Sequence, residues 1–564
     1  MNLSIFSYSL VLSLLISTNV LMAQIKKDPQ GTDTNKKQGT TKGAIKEEIE
    51  VIRPYKPVLG EAVKIRINPN LNNNPTFKPT LNYTVLDKTL KLDSNINKLQ
   101  AQKLVKEEIS SPTSNYLKFA AGNLNTTLGE LYINNGKDES LQTGLFIKHL
   151  AQKGSLTKQQ FSKQEASAFG RIIGKQATLS GEANYSRRET YFYGFDPALV
   201  APSTQPNEQR FDQFEIKADF GNNYNEFNYF KYKLGASAYT FNDLLNAKEN
   251  AFISTGSINQ VIDKFNFGLG VGIDLTHSKD IISINNYIFR ANPHVEFQTN
   301  NVMLDIGLNI VQEFGSKRSL NIFPMLAANI PLASSYVSLF AGIRGDVIKN
   351  NLKDLTAENP YLNQNISLAN TKEKINIYGG IKGNAGPTLG FKATGFYKLL
   401  ENMQLFKNST SNTNRFDVFY DMGKSSIFGV EAELEVKAWD IFSIIGKAQA
   451  NTYEMATEIK AWLKPTYRFV TITKAKVTSK LTIDAEITLN GKTYAKVIHA
   501  GPIPLTTEVK VNSYTDISAG AEYQVAPKTK LYIRATNILG TSYERYLHYT
   551  NLGLGIFGGF TYSF

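Results

Sequence analysis

Apolar and polar residues alternate with a period of two along most of this chain, and no other feature restricts the fold as much. Between 265 and 275, Phe265, Phe267, Leu269, Val271, Ile273 and Leu275 share one parity, while Asn266, Gly268, Gly270, Gly272 and Asp274 share the other. Val302, Leu304, Ile306, Leu308 and Ile310 alternate in the same way with Met303, Asp305, Gly307 and Asn309, as do Ile517, Ala519, Ala521, Tyr523 and Val525 with Asp516, Ser518, Gly520, Glu522 and Gln524. The chain ends on the pattern too, with Leu552, Leu554, Ile556, Gly558, Phe560, Tyr562 and Phe564 on one parity. Successive side chains of a strand point to opposite faces, so each segment has one apolar and one wet side. Carboxylates and amides on the wet side do not suit a dry sandwich core. They suit a water-filled lumen, with the apolar face against lipid. A sheet in a bilayer must satisfy every backbone donor, and closure into a barrel does so.

Composition agrees. The 564 residues are 42% hydrophobic, with a mean hydropathy of −0.26 that is too polar for a helical membrane protein. The apolar run from Ser7 to Ala23, ending Leu-Met-Ala before Gln24, resembles a secretory signal. After it no run approaches the ~20 apolar residues a spanning helix needs. The chain has no cysteine, which excludes a disulfide framework, a lipoprotein anchor and thiol-based metal or catalytic chemistry. Export without disulfides suits a large envelope protein. Of the net charge of +13, a surplus of 6 (16 Lys/Arg minus 10 Asp/Glu) falls between Gln24 and Asn115. In an exported chain this reads as a basic segment near anionic envelope components rather than as nucleic-acid binding.

The expected organisation is a signal peptide at 1–23, a periplasmic, partly disordered arm or partial plug at 24–115, and a transmembrane barrel at 116–564. Within the barrel, short turns near 222–225, 299–301, 333–335, 386–387 and 526–529 alternate with long loops at 197–209, 350–371, 491–512 and 541–551. Single-chain outer-membrane barrels put short turns on the periplasmic side and long loops outside. Segmentation gives twenty-one strands, an odd number where such barrels have an even one. The expectation is therefore all-β: a closed antiparallel transmembrane barrel of about 20 strands, within 18–22. The uncertain segments are Tyr116–Ile133, read as one strand or two, and Phe406–Phe428.

The C-terminal text is the most specific. Leu-Tyr-Ile-Arg-Ala-Thr-Asn-Ile-Leu-Gly (Leu531 to Gly540) runs on to Tyr543 and Tyr546, and the chain closes on Phe-Gly-Gly-Phe-Thr-Tyr-Ser-Phe. This resembles the end of TonB-dependent receptor barrels, in which an Asn-apolar-apolar motif is followed by a Tyr and the last residue is Phe. The matching positions are Asn537, Tyr543 and Phe564. The resemblance implies that Phe560, Tyr562 and Phe564 form the signal read by barrel-insertion machinery. Asn115 to Tyr132, with Tyr55 to Pro57, is similar to a group of shorter receptor-like barrels. The departure is the plug: about 90 mature residues precede Tyr116, where the transporters carry well over a hundred. Glu48, Val51 and Tyr55 lie in a short alternating segment that could add to a partner's sheet edge, with TonB or a lipoprotein as partner. The plainer reading is a short strand at the barrel's periplasmic mouth.

No nucleophile elbow, zinc-protease helix or phosphate loop is present. The five histidines (His149, His277, His294, His499 and His548) are scattered without ligand spacing. No metal, cofactor or catalytic residue is expected, and the chain does not read as an enzyme. Glu431, Glu433 and Glu435 share one parity and read as lumen wall. Tyr543, Tyr546, His548 and Tyr549 could stack a sugar or planar ligand at a barrel mouth, though an interfacial girdle is the plainer use of Tyr. The expectation for function is an outer-membrane transporter or channel of a Gram-negative bacterium, in contact with outer-membrane lipid and not with nucleic acid. The alternative is a non-conducting assembly platform that binds a periplasmic or lipoprotein partner through its arm.

Overall fold

In the computed structural model, the described residues are 115–135, 140–196, 205–223, 229–299, 301–332, 336–386, 388–438, 441–499 and 505–564. The expected signal peptide, the arm before Asn115 and the segment with Glu48, Val51 and Tyr55 lie outside them. Twenty-six strands follow in order among these described residues. They are β1 (Tyr116–Gly122), β2 (Thr126–Asn134), β3 (Leu141–Lys153), β4 (Gln160–Ile173), β5 (Ala177–Tyr191), β6 (Glu208–Asn222), β7 (Phe230–Asp243), β8 (Lys248–Ile262) and β9 (Phe265–Lys279). Next come β10 (Ser283–Gln298), β11 (Met303–Gly315), β12 (Ser319–Pro331), β13 (Val337–Ile348), β14 (Thr371–Ala385), β15 (Leu389–Asn408), β16 (Phe416–Ala438), β17 (Phe442–Glu454), β18 (Tyr467–Lys476) and β19 (Leu481–Asn490). The last are β20 (Thr493–His499), β21 (Leu505–Val511), β22 (Tyr514–Ala526), β23 (Thr529–Thr536), β24 (Glu544–Tyr546), β25 (Tyr549–Thr550) and β26 (Gly555–Ser563).

Twenty-two of them form one sheet in which each strand pairs antiparallel with the next, and β26 returns to pair with β1 from Tyr116↔Ser563 to Gly122↔Phe557. The sheet is a closed barrel with no free edge. The count is even, at the top of the expected range. Tyr116–Ile133 proves to be two strands, turned at Leu124 and Asn125, both with left-handed φ. The two hairpins β20–β21 and β24–β25 stand outside the ring as parts of long connections.

Parity behaves as lipid on one side and water on the other require. Phe265, Phe267, Leu269 and Val271 are exposed on the outer face of β9, with Ile306 and Leu308 on β11 and Tyr523 and Val525 on β22. Phe560, Tyr562 and Phe564 lie on that outer face as well. The other parity carries ion pairs. Arg534 is bonded to both Asp484 and Glu486, Lys148 is 2.6 Å from Glu130, and Lys447 is 3.0 Å from Glu433. Gly268, Gly270 and Gly272 fall on this inward parity, where a side chain at 268 would overlap His294.

The connections sort by end. Phe564 N–H donates to the Asn115 carbonyl at 3.1 Å, so both termini of the barrel lie together. The short connections between 262 and 265, 298 and 303, 385 and 389, 476 and 481, and 526 and 529 fall at that end by antiparallel alternation. The long connections 349–370, 455–466, 491–513 and 537–554 all fall at the other. β15 and β16, of 20 and 23 residues, far exceed the ~9–11 residues a tilted strand needs to span. At their loop ends Phe406, Phe416 and Val418 are buried under the long connections.

Candidate functional site

The connection from β13 to β14 carries the only α-helix among the described residues, Leu352–Glu358. Asn351 caps it, its side-chain oxygen accepting from Asp354 N–H at 2.7 Å. Side-chain oxygen at this position satisfies a first-turn donor that has no partner within the helix. Two more such donors are met from outside. The Glu249 carboxylate on β8 accepts from Leu352 N–H at 2.7 Å and Lys353 N–H at 3.3 Å. It is fully buried, and it also accepts from Ser278 at 2.7 Å and Tyr239 at 2.9 Å. Leu352 packs with Phe211, Tyr239 and Phe241, while Leu355 faces Phe406, Phe416, Tyr546 and Tyr549. The base of the connection is tied by amides. Asn370 exchanges bonds with Asn286 at 2.8 and 2.9 Å, and it donates to Glu313 at 2.9 Å. Burial pulls the Lys349 ammonium below its usual range, although Asp274 beside it acts in the opposite direction.

After the helix the chain runs to the far side. Lys464 Nζ lies 2.6 Å from the Glu358 carboxylate, and the Tyr546 hydroxyl donates to the Glu358 carbonyl. Tyr361 stacks on Tyr549 with centroids 3.5 Å apart. Leu362 forms a one-residue parallel bridge with Phe416. In it Phe416 N–H donates to the Tyr361 carbonyl at 2.9 Å and Asn363 N–H to the Phe416 carbonyl at 2.8 Å. Burial holds the Tyr361 and Tyr549 phenols well above their usual range, hence protonated.

Around the ring, Glu249 sits on the eighth strand, five before β13. The β24–β25 hairpin follows the twenty-first strand, seven after β14. A segment that touches both must cross the mouth. Residues 349–370 are thus a strap over the loop-bearing end, and it roofs a cavity of about 480 Å³. Lumen-facing Lys163, Arg188, Gln213 and Asp516 wall the cavity below, with Lys353, Tyr361, Tyr543, Tyr546 and Tyr549 around its upper part.

The terminal loop supplies much of this site. Tyr543 stacks on Tyr514 at 4.1 Å and its hydroxyl donates to Asp516. Tyr546 and Tyr549 are buried in the strap contact, and His548 Nε2 is 3.9 Å from Asp196. Asn537, fully buried, has φ +48° and donates from its amide to the Thr541 carbonyl at 3.1 Å. Asn tolerates the left-handed region better than most residues, and this turn leaves Ile538 and Leu539 exposed. Glu249, Tyr361 and Lys464 were not singled out from sequence. The signal available was Asn351 before Leu352 and Leu355 at helical spacing, followed by Pro360.

No protein-family model and no curated protein matches the chain in sequence. Solved structures do match its shape. The siderophore receptor PirA from Acinetobacter baumannii matches with a TM-score of 0.59 at 12% identity, over 80% of each chain. The fold is that of the siderophore-receptor barrels. The ferripyoverdine receptor of the outer membrane of Pseudomonas aeruginosa matches with a TM-score of 0.60 at 13% identity, over 80% of this chain and 71% of that one. The ferric yersiniabactin uptake receptor FyuA from Yersinia pestis matches with a TM-score of 0.59 at 11% identity, over 80% of each. The receptor-barrel likeness read from Asn537, Tyr543 and Phe564 therefore holds at the level of the fold.

Proposed function

We propose that this chain is an outer-membrane, receptor-like transporter of a Gram-negative bacterium that takes up a compact organic solute from outside. The observation that carries the reading is the cavity at the loop-bearing mouth of a closed 22-strand barrel. Its tyrosines offer faces for stacking, and Lys163, Arg188, Lys353 and Arg545 outnumber the lining carboxylates Glu165, Glu189 and Asp516 by one, a small positive excess for an anionic ligand. Ferric chelates are such ligands, and they are the class named for the structural relatives. The reading assigns transport and no catalytic step. Energisation through TonB, which the receptor likeness implies, would act through the N-terminal segment with Glu48, Val51 and Tyr55.

The test is calorimetric titration of the purified full-length chain with a panel of ferric hydroxamate and catecholate chelates. It is paired with uptake of the radioactive iron complex by cells with and without the gene. Binding that falls when Tyr543 is changed to Ala supports the reading. Absence of both binding and uptake, with a periplasmic protein co-purifying instead, would overturn it in favour of a platform.

A further inference from the structure

On the lipid-facing parity near the loop-bearing end, the barrel register lines up one charged row. Arg187 pairs with Asp212, Asp212 with Asn242, Asn242 with Lys248, Lys248 with Lys279 and Lys279 with Ser283, so the row crosses β5 to β10 unbroken. Two residues nearer the end that holds the termini, the same columns carry Thr240, Asn250 and His277, and two further on Ala238, Phe252 and Leu275. Charge is replaced by apolar side chains within four residues, about 13 Å of strand at ~3.3 Å per residue. That step is the change from the headgroups of the outer leaflet to hydrocarbon, since long loops mark the outer side.

At its β5–β6 end the row is compensated within itself. Asp212 lies 2.6 Å from Arg187 and 3.1 Å from Arg210, and Arg210 stands opposite Glu189. Lys248 and Lys279 lack such a partner. Both are exposed, they stand directly opposite each other, and neither makes an ion pair among the described residues. The carboxylates next to them in sequence are engaged elsewhere: Glu249 is buried under the helix start, and Asp280 accepts from Asn365 N–H. Like charges directly opposite in a sheet repel, and an anion held between them turns that repulsion into a clamp.

We propose that Lys248 and Lys279 bind the phosphate of an outer-leaflet lipid, whose acyl chain lies along β7 below them. Side chains of directly opposed residues start ~5 Å apart, and two flexible ammonium groups can converge from there on one phosphate. Below Asn242 the lipid-facing column of β7 is Thr240, Ala238 and Ala236, all small. It runs between Ile216 of β6 and Phe252 of β8, both exposed, which leaves a shallow channel for the chain. A free phosphate would meet the lysines alone, whereas a lipid meets the lysines and the channel together. The site faces the bilayer and not the cavity, so it goes beyond the uptake reading and does not rest on it.

Native mass spectrometry of the detergent-solubilised full-length chain tests this, with dioleoyl phosphatidic acid and dioleoylglycerol as probes that differ only in the phosphate. One phosphatidic acid should bind with roughly tenfold or higher affinity than dioleoylglycerol. Lys248→Gln with Lys279→Gln should abolish that preference. Lys317→Gln with Lys374→Gln, which removes the same charge from an exposed turn and from the ion pair with Glu401, should keep it. Equal binding of the two lipids to the native chain would overturn the proposal, and that comparison needs no variant to fold. A preference kept in the Lys248 and Lys279 variant, or lost equally in both variants, would overturn the site. Displacement of the lipid by equimolar inorganic phosphate would overturn the lipid as its occupant. Uptake of iron chelates is measured separately, and its absence leaves the lipid result standing.

Discussion

Glu249 is the place where one substitution should separate the strap from the barrel. Changing it to Ala removes the acceptor of four donors at once. Ser278 and Tyr239 hydroxyls can rotate toward other partners, but the Leu352 and Lys353 amides are fixed by the helix. A buried donor left without a partner costs roughly 1–3 kcal/mol. The contact to Leu352 at 2.7 Å carries most of this and the longer one to Lys353 less, so the loss is about 3 kcal/mol for the helix start. That is about a hundredfold in the local opening equilibrium, at roughly 1.4 kcal/mol per decade. The barrel should not follow, because β8 keeps its full ladders with β7 and β9. Hydrogen exchange read by mass spectrometry on the detergent-solubilised protein should show faster exchange at 351–358 with β7, β8 and β9 unchanged. Glu249→Gln keeps one acceptor oxygen and should fall between. Unaltered protection at 351–358 in the Ala variant, or loss of protection along the whole of β8, would refute the reasoning.

Three further outcomes are expected. Asp421 accepts from the Ala456, Thr457 and Glu458 amides and from two hydroxyls, so Asp421→Ala should open 455–466 to proteolysis while the heat-modified gel shift of the barrel stays. Asn537→Val puts a β-branched residue at φ +48°, which should cost about 2 kcal/mol or more in detergent unfolding; Asn537→Gly, which fits that backbone but loses the bond to Thr541, should cost less. On β9, Leu269→Lys introduces a charge on the lipid face and should destabilise the protein in bilayers by roughly 2–4 kcal/mol, whereas Gly270→Ser one residue along faces the lumen and should be near neutral.

The barrel was legible in the sequence because lipid and water act on every residue of every strand. A parity error at Leu269 or Ile306 puts a carboxylate or amide into hydrocarbon, so the alternation cannot drift far. Strand number was less secure. The Asn123–Asn125 turn contains neither Gly nor Pro, and Leu124 takes left-handed φ without any local sign of it. The two ends of the barrel could be told apart from loop lengths, since 349–370 and 537–554 are long and fall at the same end. The strap could not. Its helix start is bonded to a residue 103 positions away, and its far side joins Tyr546 to Glu358 across 188. Such contacts depend on which strands face each other across the ring, a quantity no local window contains. The tyrosines of the terminal loop were visible as a cluster, but Tyr361, on which Tyr549 stacks, was hidden in what read as plain loop.

The seam between the first and last barrel strands has a consequence for assembly. Asn123 and Ile556, which bond across it, are 433 residues apart. Bringing such distant points together carries a closure entropy of roughly 5 kcal/mol, against very little for a neighbouring hairpin. Seven register pairs must outweigh that term, and none of them can form before the final strand exists. A nascent chain cut anywhere short of Gly555 therefore presents two raw edges however well its other hairpins have zipped. Closure of the ring therefore waits on its last strand, which makes Gly555–Ser563 a built-in check that the strands before it have been supplied.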